Sequence, residues 1–160
     1  MPEVRPTLAS AAQDTPTLRC DPLFWLALFA GPLCWLLLFL LLRPAPPRWS
    51  WPLESPAGYL LPVLVYPVLE EIIFRGLLQE LVQEYLSRRA LGPFSLANLI
   101  ISLVFTGFHF LNHTPVWAAL VFLPSLVFGF FKDRHGTLTA PILLHAFYNA
   151  GFLLIFTAPV

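Results

Sequence analysis

Residues 23–42 read LFWLALFAGPLCWLLLFLLL, and no charge interrupts them. A run of about 18 or more apolar residues has the length to cross the hydrocarbon core of a bilayer. The rest of the chain supports that reading. The whole chain of 160 residues is 58% hydrophobic and 11% charged, with a mean hydropathy of +0.73. A soluble domain carries about 25% charged residues, so this chain lacks the polar surface to cover itself in water. A signal peptide fits poorly, because the run is too long and no small-residue cleavage site follows it. Cys20 follows Arg19, which argues against a lipoprotein cleavage site. Cys20 and Cys34 suggest neither a disulfide nor a metal framework. A formal net charge of zero points away from nucleic acid.

Four further apolar segments lie near 56–80, 94–112, 115–131 and 137–158. They predict an all-α, multi-spanning transmembrane helical bundle with about five membrane helices. Residues 1–19 are polar and read as a disordered tail, followed by a single domain over 20–160. RPAPPRWSWPLESP (43–56) is a Pro-rich loop with Trp49 and Trp51 at interfacial positions. QEYLSRRALGP (83–93) reads as a polar turn after a helix extension out of the membrane, NHTP (112–115) as a tight turn, and KDRHG (132–136) as a charged one. With the N-terminus inside, the inner segments hold Arg5, Arg19, Arg88, Arg89, Lys132 and Arg134, against Arg43 and Arg48 outside. That asymmetry predicts a cytoplasmic N-terminus.

Against this apolar background, PVLEEIIFRG (67–76) places Glu70, Glu71 and Arg75 at bilayer depth. Each such group costs about 2.5–3.5 kcal/mol on insertion scales, and such groups face bundle interiors and mark function. At about 100° per residue, Arg75 lies about 40° round from Glu71 but about 140° from Glu70. Glu71 and Arg75 therefore form an i,i+4 pair able to neutralise one another. Glu70 has no sequence-local cation and is available as a base. A purely structural ion pair needs only one glutamate.

FTGFHFLNH (105–113) adds His109, on one helix face with Phe105. A lone histidine on an apolar face is more often a satisfied core residue than a catalyst, and His113 sits beside the Thr-Pro turn. LTAPILLHAFYNAG (138–151) adds His145 and Asn149, spaced i,i+4 so that both can point at one spot. A carboxylate beside an imidazole can deprotonate water. A second histidine with an amide donor can stabilise the oxyanion formed when water attacks a carbonyl. No serine or cysteine is placed as an obvious nucleophile. In type, the set suffices for peptide hydrolysis without a covalent intermediate.

The three motifs, in this order, resemble those of the CAAX protease and bacteriocin-processing enzyme family. EEIIFR (70–75) is similar to its EExxxR motif, FTGFH (105–109) to FxxxH, and HAFYN (145–149) to HxxxN. The approach GFFKDRHGTLTAPILLH (129–145) also resembles that family, and the match of order and spacing spans about 56–155. The resemblance implies an intramembrane glutamic protease on a helical bundle, with no cofactor or metal. Glu70 would activate water with His109, Glu71 and Arg75 would support the site, and His145 and Asn149 would form the oxyanion hole. Five spans are fewer than in the larger eukaryotic CAAX endopeptidases. Compact members resemble bacterial sorting proteases, myxosortase-like, that trim C-terminal anchoring tags of exported proteins. NLIISLVF (98–105), HFLNHTPVWA (109–118) and LPSLVFG (123–129) resemble the type paired with JDVT-CTERM tags. The implied partners are membrane lipid and a membrane-anchored protein substrate, in a bacterial inner membrane.

Other readings compete with this one. A zinc metalloprotease has His109, His145 and a glutamate to draw on, but HExxH is absent and Arg75 beside the site disfavours a cation. A CAAX prenyl endopeptidase is the alternative within the family. A proton-coupled transporter lacks a visible inverted repeat, and a non-catalytic scaffold has no need of the whole motif set.

Overall fold

The computed structural model describes residues 16–42, 47 and 49–156. Most of the expected N-terminal tail, together with Arg5, Arg43 and Arg48 of the orientation argument, lies outside the described residues. At the tail's end, Leu18–Cys20 forms a 3₁₀ turn.

Five longer helices follow: α1 Pro22–Leu42, α2 Pro56–Tyr85, α3 Leu96–His109, α4 Pro115–His135 and α5 Thr139–Phe156; a single helical turn, Trp51–Glu54, interrupts the expected Pro-rich loop ahead of α2. Four are long and apolar enough to cross a membrane. The fifth, α3, has 14 residues. At about 1.5 Å per residue α3 spans about 21 Å, short of a hydrocarbon core of about 30 Å. The expected bundle is therefore present, with four full-length spans and one shorter helix rather than five of equal standing. At 30 residues, α2 is about 45 Å long, longer than a hydrocarbon core of about 30 Å, which leaves length for the predicted extension.

The ends follow local chemistry. Pro22, Pro56 and Pro115 open their helices, where a missing N–H costs nothing. Ser95 caps α3, its hydroxyl accepting the Asn98 N–H at 2.9 Å. A minimal antiparallel hairpin, β1 Ala90–Leu91 and β2 Phe94–Ser95, leads into that cap. Gly136 closes α4 in the left-handed conformation at φ 68°, open to glycine without strain.

Buried and exposed residues are reversed relative to a water-soluble protein. Leu26, Phe29, Leu41 and Leu103 face outward, while Glu71, Arg75, Gln79, Asn98, Ser102 and Ser125 are buried. Lipid tails are as apolar as leucine, so close packing and hydrogen bonds must hold such helices together. Small residues let α1 approach α5 and α3 approach α4. A Cβ on Gly151 would stand 2.2 Å from the Trp35 ring, and one on Gly129 would stand 2.0 Å from Asn98 Oδ1. Asn98 Nδ2 donates across to Leu126 O at 3.0 Å, and Tyr148 Oη to Ala27 O at 2.6 Å.

Asp21 ties the start of α1 to the end of α4. Its carboxylate accepts from Arg134 Nε at 2.7 Å, His135 Nε2 at 2.9 Å and the Leu23 N–H at 3.1 Å. Lys132 pairs with Glu80 of α2 at the same end. Three of the charged segments thus gather at one end of the bundle. Burial raises the Asp21 pKa, but the Arg134 and Leu23 hydrogen bonds, the Arg134 charge and His135 outweigh it and hold the carboxyl below its usual value. Its stabilising contribution is therefore complete above the unfolded value of about 3.9 and is lost as pH falls through the lower folded value. Asp21→Asn is expected to lower the melting temperature in detergent by several degrees at pH 7. The gap from the parent should close below about pH 3.9, a trend that melts recorded across pH 3–7 will check.

Candidate active site

Proline chemistry in α2 prepares one wall of the site. The helix widens to π-type bonding over Leu61–Val65 and again over Ile72–Gln79. In the first of these the Tyr66 N–H reaches back to Leu61 O. Pro67, with no N–H, cannot take the next carbonyl, that of Pro62. Asn149 of α5 takes it instead, donating from Nδ2 at 2.9 Å. A side chain from the last motif thus satisfies a backbone group freed just ahead of the first. The second widened segment begins directly after Glu71 and carries Arg75 and Gln79. Glu71, Arg75 and Gln79 are 0%, 0% and 1% exposed.

Arg75 pairs with Glu71, as the i,i+4 spacing predicts, with Nε 3.3 Å from Oε2. Its Nη2 donates to Ser125 on α4, to the carbonyl at 3.0 Å and the hydroxyl at 2.6 Å. The guanidinium carbon lies 5.5 Å from the centre of the Phe105 ring, a cation–π contact. The other oxygen of Glu71 receives His145 Nδ1 at 2.8 Å. His145 is stacked on Phe128 at 4.8 Å and meets the edge of Phe105 at 5.9 Å. Its second nitrogen, Nε2, is 3.6 Å from Glu70 Oε2.

The two adjacent carboxylates therefore stand in different surroundings. Glu71 is fully enclosed and held from both sides by Arg75 and His145. Glu70 has a side chain 34% exposed, with His145 as its ion-pair neighbour. A separation of 3.6 Å exceeds hydrogen-bonding distance, so the two groups meet as an ion-pair contact and not through a direct hydrogen bond.

His109 enters from α3. Its Nδ1 lies 2.9 Å from Phe105 O. A carbonyl only accepts, so Nδ1 carries the proton and Nε2 is left as an acceptor. Its ring packs on Phe105 at 4.6 Å and on His113 at 5.6 Å. His109 and His145 thus share Phe105 as a common neighbour. Among the described residues no hydrogen bond or ion pair joins His109 to Glu70.

The arrangement departs from the sequence expectation on the last helix. His145 faces the two glutamates while Asn149 turns to Pro62, so the ground-state contacts of the pair diverge. Asn149 also lines an apolar cavity of about 310 Å³ between α1, α4 and α5, beside Trp35, Trp117, Val127 and Phe152. Ser125 and Phe128 escaped sequence reasoning. The only signal for Ser125 was a hydroxyl inside the apolar run LPSLVFG, and nothing singled out Phe128 among the phenylalanines around it. Among the described residues no group of three or more His, Cys, Asp and Glu side chains is placed to share a metal ion.

The helical membrane bundle thus encloses a buried Glu–Arg–His network beside a second, accessible glutamate. A family model described as Type II CAAX prenyl endopeptidase Rce1-like matches residues 52–151. The chain belongs to that family, which makes it an integral membrane protease. The matched stretch contains all six site residues and nearly all of α2–α5, but not α1. Comparison with curated proteins and with solved structures gave no match.

Proposed function

We propose that this protease is a glutamic-type intramembrane endopeptidase that cleaves near the membrane-anchored C-terminus of a protein substrate. The observation that carries the reading is one imidazole, His145, held between Glu71 at 2.8 Å and Glu70 at 3.6 Å. Glu70 takes a proton from water as that water attacks the scissile carbonyl, then passes it to the departing amine. His109 orients the same water through its free Nε2. Glu71 and Arg75 position His145. To donate to an oxyanion His145 needs a hydrogen on Nε2 as well as the one on Nδ1 that meets Glu71. Its Nε2–H and the second amide hydrogen of Asn149 are the donors for the oxyanion. The apolar cavity beside Asn149 suits the apolar residues of a membrane-embedded substrate segment.

The substrate class follows from the chain's resemblance to compact sorting proteases: an exported bacterial protein bearing a C-terminal anchoring tag. The host membrane is the bacterial inner membrane, with the N-terminus cytoplasmic. The gathering of Lys132, Arg134 and the start of α1 at one end supports that orientation. Co-expression with a JDVT-tagged protein is expected to yield a product shortened at its C-terminus. An unshortened tag alongside cleavage of a prenylated CAAX protein would replace the sorting role with the prenyl endopeptidase one. Processing by purified enzyme is expected to survive phenanthroline and EDTA. Inhibition reversed by added zinc would overturn the glutamic mechanism in favour of a metalloprotease.

A further inference from the structure

An arginine paired with a carboxylate often presents two N–H groups together, so that both carboxylate oxygens are taken. Arg75 does not. It reaches Glu71 through Nε alone, 3.3 Å from Oε2, while Nη2 turns away to α4. There Nη2 donates to both oxygens of Ser125, the hydroxyl at 2.6 Å and the carbonyl at 3.0 Å. Nη1 is buried without a hydrogen-bond partner. Among the described residues, then, Glu71 and Ser125 alone fix the guanidinium by hydrogen bonds.

That choice decides what the other oxygen of Glu71 is free to do. Oε1 receives His145 Nδ1 at 2.8 Å, and this contact leaves Nε2 as the ring nitrogen nearer Glu70. Glu71, Arg75 and Ser125 are 0% exposed and His145 is 5% exposed. The chain Ser125–Arg75–Glu71–His145 is therefore made away from bulk water, where each bond is strengthened and each loss is felt.

We propose that the Ser125 hydroxyl is a positioning group for the reaction. By holding Nη2 of Arg75 it keeps the guanidinium off Oε1 of Glu71, and so reserves that oxygen for His145. Ser125 acts at two removes, through Arg75 and Glu71. Without the hydroxyl, the freed Nη2 hydrogen turns to Glu71, which then pairs with Arg75 through both oxygens and loosens its hold on His145. The inference rests on the reading of His145 as an oxyanion donor held by Glu71.

The test compares Ser125→Ala with Ser102→Ala in the purified full-length chain, with turnover of the JDVT-tagged protein measured per folded molecule. Ser102, on α3, is an equally buried serine whose hydroxyl donates to Asn98 Oδ1 at 3.0 Å, outside the chain that ends at His145. Ser125→Ala keeps the carbonyl contact and removes only the shorter one. It should lower kcat about tenfold, the scale of one hydrogen bond to a charged group, with KM unchanged. Ser102→Ala should leave kcat at the parental value. A second measurement needs no substrate. In enzyme carrying isotope-labelled histidine, the carboxylate-bound Nδ1–H of His145 should give a downfield proton resonance, assigned by its loss in His145→Ala. That resonance should move upfield in Ser125→Ala and stay in place in Ser102→Ala. Ser125→Cys keeps the side chain's shape and offers only a weak sulfur acceptor, so it should reproduce both effects should the alanine variant not fold. An unmoved resonance, an unchanged kcat, or an equal loss in Ser102→Ala overturns the proposal. A moved resonance and lowered kcat, in an enzyme whose Glu70→Gln variant keeps its turnover, would sink the glutamic mechanism and still support Ser125 as the group that positions His145.

Discussion

Glu70→Gln is expected to abolish processing while expression and helicity stay at parental levels. The change keeps the shape of the side chain and removes only its basicity. With a side chain 34% exposed and one ion-pair neighbour, His145, at 3.6 Å, Glu70 carries little of the bundle's internal bonding. Substantial turnover by Glu70→Gln enzyme would end its assignment as the base. The contrast with its neighbour sharpens the test. Glu71→Gln leaves Arg75 buried without its carboxylate, a loss of about 3–5 kcal/mol for a broken buried pair. That variant should express poorly or melt early, and whatever folded enzyme survives should retain measurable turnover. A stability loss at position 70 and none at position 71 would reverse the assignment.

His145→Ala and Asn149→Ala should each lower kcat by about 10²–10³, the usual cost of removing one preorganised oxyanion donor, with little change in KM. The double variant should lose less than the product of the two single losses, because both donors serve one oxygen. Asn149→Asp should be worse than Asn149→Ala, since it adds negative charge where negative charge develops. The structure adds a second consequence. Removing the Asn149 amide also strands the Pro62 carbonyl, at about 1–3 kcal/mol for an unsatisfied buried acceptor. Turnover must therefore be compared per folded molecule, for example against a thermal melt of the same preparation. Full kcat with a raised KM in Asn149→Ala would make this residue a substrate-binding group instead.

Much of the protein is legible in its sequence. Twenty charge-free residues force a membrane span, because no other solvent accepts them. Charges inside PVLEEIIFRG must find partners, because hydrocarbon offers none. The pairing of Arg75 with Glu71 rather than Glu70 follows from helical spacing alone. Relations within one helix are readable in this way because the chain itself sets their distances.

What crosses between helices was decided by the tertiary structure. His145 is 74 residues from Glu71 in sequence, and its choice of the carboxylates over Asn149 depends on how α5 lies against α2. Ser125 anchors Arg75 from 50 residues away, and Phe128 backs the His145 ring. In the sequence both look like ordinary members of an apolar run. Asn149 binds Pro62 because Pro67 left that carbonyl free, a vacancy visible only once α2 is known to widen there. The shortness of α3 was hidden too, since the apolar pattern continues through Phe110 and Leu111 after the helix has ended at His109. Hydropathy records which solvent a segment prefers. Which side chains meet inside that solvent is settled by close approach of backbones at positions such as Gly129 and Gly151, where a single Cβ would push the helices apart.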